Sequence, residues 1–140
     1  MTLSAAAVVL APLSACASHT VPMPPFDATP EQVVRTYLEA QQARDCRTYQ
    51  ALRAPTMQPS LEPGECEFLN LTDFRVVRSQ PDKRGHYHDE HPQHDRIYVE
   101  LVIGRGAEDH GFHRGENQWS YYLDRSGRGA PWRIFAQGMG

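Results

Sequence analysis

Ile97, Val99, Leu101 and Ile103 alternate with Arg96, Tyr98 and Glu100. Side chains of a β-strand project to opposite faces, so such a run settles as a strand with one apolar face to bury. The same period of two returns three times. Phe74 and Val76 alternate with Arg75 and Val77, and Trp119, Tyr121 and Leu123 alternate with Gln118 and Ser120. Trp132, Ile134 and Ala136 alternate with Arg133 and Phe135. DRSGRGAP, residues 124 to 131, reads as the turn between the last two strands. Four strands of this kind need a layer that covers their apolar side.

That layer lies upstream, where the period is 3.6. In TPEQVVRTYLEAQQARD, Thr29 stands as N-cap, Pro30 at the first helical position and Gln32 at N3. This is a capping box with the favoured proline. Val33, Val34, Tyr37, Leu38 and Gln41 fall near one face, and the apolar four are expected to pack inward. Asp45 can cap a shorter helix, CRTYQALR, which Pro55 ends, with Tyr49 and Leu52 as core contacts. A proline-interrupted connection leads to Cys66. The expected fold is α+β: two N-terminal helices packed on a curved, cone-like antiparallel four-stranded meander. With 140 residues, the chain has room for one domain, expected at 29–140.

Residues 3 to 13 are apolar or small and uncharged. The run is too short to span a bilayer, which needs about 20 residues, but it suits the apolar region of a signal peptide. It ends in Leu13-Ser14-Ala15-Cys16, which resembles the bacterial lipobox. The resemblance implies a signal peptide at 1–15, cleavage before Cys16 and diacylglycerol on its sulfur. Residues 16–28, with several prolines, then read as lipidated cysteine and flexible tether. No basic residue precedes Arg35, which leaves either a start codon upstream of Met1 or export that relies on the N-terminal amine alone. Lipidation of Cys16 leaves Cys46 and Cys66 of the three cysteines, as an oxidised pair outside the cytosol or as two free buried thiols. There is no C-x-x-C redox motif. The expected location is extracytoplasmic, lipid-anchored to the outer face of the cytoplasmic membrane.

The order α-α-β-β-β-β, opening with TPEQVVRTYLEAQQARDCRTYQAL and closing with WSYYLDRSGRGAPWRIFAQG, resembles the cone-shaped domains of nuclear transport factor two and the SnoaL-like proteins, and with them the ketosteroid isomerases. Small exported bacterial lipoproteins often look like this. The resemblance spans about residues 29 to 137 and implies a fold that hosts enzymes, binding modules and accessory domains alike. Ketosteroid-isomerase chemistry needs a carboxylate base inside the cone. Asp73 and Glu100 lie on strands, but alternation puts both opposite the aliphatic face. No catalytic residue is assigned.

HYHDEHPQHD, residues 86 to 95, holds four of the seven histidines. His86, His88, His91 and His94 offer imidazoles that could bind zinc or copper, with Asp89, Glu90 or Asp95 completing the shell. Pro92 and the mixed spacing oppose a single regular element, so the stretch reads first as a solvated hairpin tip. Metal binding and a pH-sensing role are the alternatives. His110 and His113 belong to the next connection, at the other end of the sheet. The chain lacks H-E-x-x-H, G-x-S-x-G and a phosphate-binding glycine loop. Its net charge of −3 gives no sign of nucleic-acid binding. Trp119, Tyr121 and Trp132 are expected in the sheet core, or lining a pocket for an apolar ligand. The function expected is that of a non-catalytic binding or accessory domain, without a cofactor, held at the membrane by its lipid and open to an envelope protein partner. A metal-binding or small-apolar-ligand lipoprotein is the alternative, and an isomerase- or cyclase-type enzyme comes after it.

Overall fold

The computed structural model describes residues 20–57, 60–82, 94–109 and 111–139. Helix α1 spans Pro30–Ala43 and α2 spans Cys46–Ala51; strands β1 (Leu71–Pro81), β2 (Asp95–Arg105), β3 (Gly115–Arg125) and β4 (Arg133–Gly138) follow. The sheet is antiparallel in the order β1-β2-β3-β4, and the helices pack on one of its faces.

The start of α1 follows from its first four residues. Gln32 N donates to Thr29 Oγ1 at 3.3 Å, and Thr29 N donates to Gln32 Oε1 at 2.8 Å. Two N–H groups that the helix cannot satisfy itself are thereby paired. Arg44 ends the helix in the left-handed region at φ 55°, and Asp45 N closes the turn onto Ala40 O at 2.8 Å. Asp45 then caps α2 through Thr48 N and also accepts from Val21 N at 2.8 Å. Thr48 Oγ1 donates to Val21 O at 2.9 Å. The segment that reads as a tether in sequence is thus held to the domain from Val21 onward.

Val34 and Leu38 of α1, Leu52 after α2, Val99, Leu101 and Ile103 of β2, and Tyr121 and Leu123 of β3 are fully buried. They form one core between the helices and the inner face of the sheet. β1 departs from simple alternation. Register shifts occur between Leu71 and Phe74 and between Val76 and Arg78, so that Ser79 rather than Arg78 turns toward α1 and meets Glu31. A further shift interrupts β3 and β4 at Tyr122/Leu123. Such irregularities bend and twist a strand locally. Trp132 is buried just ahead of β4, while β3 runs on to Arg125 and shortens the turn between them.

The outer edge of β4 is not left bare. Ala54 N donates to Ile134 O at 2.7 Å, and Ile134 N donates to Leu52 O at 3.0 Å. The end of α2 therefore adds a short parallel bridge to the sheet and blunts a surface prone to pair with other chains. Cys46, the first residue of α2, is disulfide-bonded to Cys66, with Cα atoms 5.6 Å apart. The Gln50 side chain donates to Glu62 O at 2.8 Å and accepts from Gly64 N at 3.2 Å, holding the connection that the disulfide closes.

The bond constrains a sequence separation of 20 residues. Replacing both Cys46 and Cys66 with alanine is expected to lower unfolding free energy by about 3 kcal/mol in the chain-entropy model. Urea denaturation of the two proteins measures this directly; equal midpoints would show that the bridge adds no stability.

Candidate functional site

The inner face of the sheet is not uniformly apolar. The alternation that buries Val99, Leu101 and Ile103 continues to Arg105, which is 2% exposed. Its guanidinium carbon stands 4.6 Å from the Phe112 ring centroid, and Phe112 lies 4.4 Å from Trp119. Its Nη2 pairs with the Asp109 carboxylate. Opposite β2, register sets Trp119 across from Leu101 and Tyr121 across from Val99, on the same inner face. From α1, Gln41 comes down onto that face at 2% exposure, and its Oε1 accepts from Leu69 N at 3.3 Å.

Gln41 and Trp119 lie within hydrogen-bonding reach of the Tyr121 hydroxyl. Arg105 Nε and Nη1 are buried and have no hydrogen-bond acceptor among the described residues. Leaving a buried donor unpaired costs roughly 1–3 kcal/mol. An aromatic wall closes the other side. Tyr37 stacks on Tyr49 with centroids 4.7 Å apart and meets Tyr121 edge-on at 5.3 Å. Tyr49 OH is satisfied by Arg53 Nη1 at 2.8 Å.

Burial dominates the electrostatics of this interior. It pushes the Tyr121 phenol well above the ordinary tyrosine value of 10.0, against hydrogen bonds from Gln41 and Trp119 and the charge of Arg105. Burial, reinforced by Tyr121 and Tyr49, pushes Tyr37 up in the same direction. Both phenols therefore remain protonated, and able to donate, throughout the neutral range.

The residues singled out by sequence divide. Cys46 and Cys66 are bonded to each other. Cys16, His86, His88 and His91 lie outside the described residues. His94 is described, and its Nδ1 is 3.0 Å from Asp124 Oδ2, with both side chains about four-fifths buried (19% and 18% exposed). This contact joins the start of β2 to the end of β3. Among the described residues no group of three or more His, Cys, Asp or Glu side chains is placed to hold a metal. His113 sits beyond the far end of β2, an eleven-residue strand about 33 Å long.

No family model, curated protein or solved structure matches the chain. The site therefore stands on its own geometry. Gln41 was visible in sequence as the polar member of an otherwise apolar helix face. Arg105 was missed, although its phase with Ile103 is the signal that could have found it. Neither the alternation nor the composition shows which acceptors their donors reach.

The two raised tyrosines set the alkaline limit of the fold. The folded state holds their protons more tightly than the unfolded chain, so their contribution is complete below pH 10 and declines above it as pH rises toward the folded values. Each is expected to remove up to about 1.4 kcal/mol per pH unit in that window. Ultraviolet titration of tyrosinate should show two of the six tyrosines ionising only as near-ultraviolet circular dichroism collapses. Six smooth transitions in an intact fold would contradict this burial.

Proposed function

We propose that the protein is a lipid-anchored domain on the outer face of the cytoplasmic membrane, acting as a non-catalytic binding or accessory module. The observation that carries the reading is the Cys46–Cys66 bond. Disulfides persist in oxidising compartments, and this one accounts for every cysteine except Cys16, the residue that follows Leu13-Ser14-Ala15. A thiol at that position suits thioether attachment of lipid, which gives the odd cysteine a purpose.

The attachment of the tether supports the same reading. Only residues 17–20 separate Cys16 from the pinned Val21. At about 3.4 Å per residue they reach roughly 17 Å, which holds the domain close to the bilayer. Met23 and Phe26, just beyond that anchor, are 47% and 68% exposed, apolar groups suited to a lipid interface. Among the described residues no helix is long and apolar enough to cross a membrane.

The helix pair on one face of a bulged four-stranded meander is compatible with a cone-like domain. Likeness to nuclear transport factor two and the SnoaL-like proteins is part of this proposal, supported by element order. The metal-binding alternative draws on the His94–Asp124 contact, one of the several ligand pairs a site requires.

Mass spectrometry of the protein extracted from its host membrane tests the anchor. The expected N-terminal peptide begins at Cys16 and carries diacylglycerol, and Cys16→Ser is expected to leave the precursor unprocessed. A protein that keeps Met1, fractionates with the cytosol and holds Cys46 and Cys66 as thiols would overturn the reading.

A further inference from the structure

We infer that Met23, Phe26 and the β3–β4 turn form a face that docks on a phospholipid bilayer with anionic headgroups. This deepens the lipid-anchored reading and rests on it.

Met23 and Phe26 are two of the four large apolar side chains left exposed among the described residues, and they stand three positions apart. Their display is built in. Pro22, Pro24 and Pro25 fix their own φ. Ala28 N donates to Pro25 O at 3.0 Å, which sets Phe26 in the turn so closed. A stiff segment loses little conformational freedom when another surface takes up its side chains. Beside it lies a groove of about 160 Å³, shared by Met23, Phe26 and Val33 with Pro131, Trp132 and Arg133. Val33 and Trp132 are buried and give it an apolar floor. Pockets that enclose drug-sized ligands start at roughly 300 Å³, so this shallow groove suits a broad surface and not an engulfed molecule.

The occupant follows from chain length and from charge. Met23 is seven residues beyond Cys16, a reach of roughly 24 Å at full extension. Lipid on Cys16 therefore brings this face to the bilayer first, and the opposite end of the sheet lies a strand length farther off. The two ends also differ in sign. Residues 124–133, which hold the β3–β4 turn, carry Arg125, Arg128 and Arg133 against Asp124. Residues 106–116, at the other end of β3, carry Glu108, Asp109 and Glu116 against Arg114. The β1–β2 connection, 83–93, adds two charges of each sign. Arg128 is exposed, and Arg133 Nη1 donates to Trp132 O at 2.9 Å, which holds its guanidinium beside the groove. Asp27, next to Phe26, is the opposing charge on this face. Arginines around exposed apolar side chains match a surface with anionic phosphates above acyl chains.

Fluorescence quenching tests this on the protein purified from its host membrane and reconstituted into vesicles. The vesicles hold phosphatidylcholine with brominated acyl chains, alone or mixed with phosphatidylglycerol. Phe26→Trp sets an indole in the exposed turn, and His113→Trp sets one on the exposed connection at the other end of the sheet. Bromine is expected to quench the Phe26→Trp protein about twice as strongly as the His113→Trp protein, or more, and most strongly with phosphatidylglycerol present. Arg128→Gln combined with Arg133→Gln is expected to abolish that lipid dependence. Should Phe26→Trp fail to fold by circular dichroism, Met23→Trp carries the test. Vesicle flotation reads the anchor separately. Flotation with equal quenching at positions 26 and 113 would overturn the docking face and leave the anchor standing. Quenching indifferent to phosphatidylglycerol would overturn the anionic headgroup. A dimer that Phe26→Ser dissociates, with no quenching at position 26, would assign the face to a second copy and overturn the proposal. A protein that does not float would overturn both the face and the anchor.

Discussion

The ladder between β2 and β3 runs without a break from Asp95 opposite Arg125 to Arg105 opposite Gly115. A register slip of one residue would turn Val99, Leu101, Tyr121 and Leu123 to the outer face and bring Glu100 and Ser120 onto the core face. Burial of a single aliphatic side chain is worth roughly 1.5–3 kcal/mol, so this register is strongly fixed. The rest is arranged around it. α1 lays Val34, Tyr37 and Leu38 on the ladder's inner face, β1 and β4 extend it on either side, and the segment after α2 caps the β4 edge. The polar face carries its own cross-strand contacts: Ser120 Oγ donates to Tyr98 OH at 3.0 Å, and Arg78 Nε to Glu100 Oε2 at 2.6 Å.

The same rigidity defines the interior polar row. Because the ladder has no bulge between β2 and β3, Arg105, Trp119 and Tyr121 have no freedom to rotate to the outer face. Arg105 Nε and Nη1 are held inside without an acceptor among the described residues, at a cost in stability that an aliphatic residue would avoid.

Much of this was legible in the residues. Thr29, Pro30 and Gln32 specify the helix start through a local pattern of three positions, and the structure forms that box. Alternation located all four strands, because each has one buried face. Cysteine arithmetic left Cys46 and Cys66 as one possible pair or as two free thiols, and they are bonded. What escaped depends on contacts distant in sequence. The bulge that turns Ser79 inward answers to Glu31, 48 residues away. The pinning of Val21 needs Asp45 and Thr48, and the cover over β4 needs Leu52 and Ala54 to meet Ile134. No local period encodes such meetings. Of the interior polar residues, Gln41 announced itself in apolar phase; Arg105 was missed despite sharing the phase of Ile103, and the pairing of a donor is a property of three-dimensional neighbours.

The central claim is that the unbroken register of β2 on β3 holds the core together. Hydrogen exchange of the backbone amides tests it most directly. The account predicts that amides of the β2–β3 ladder exchange last, only on global unfolding. Exchange there ahead of α2 and β1 would contradict it.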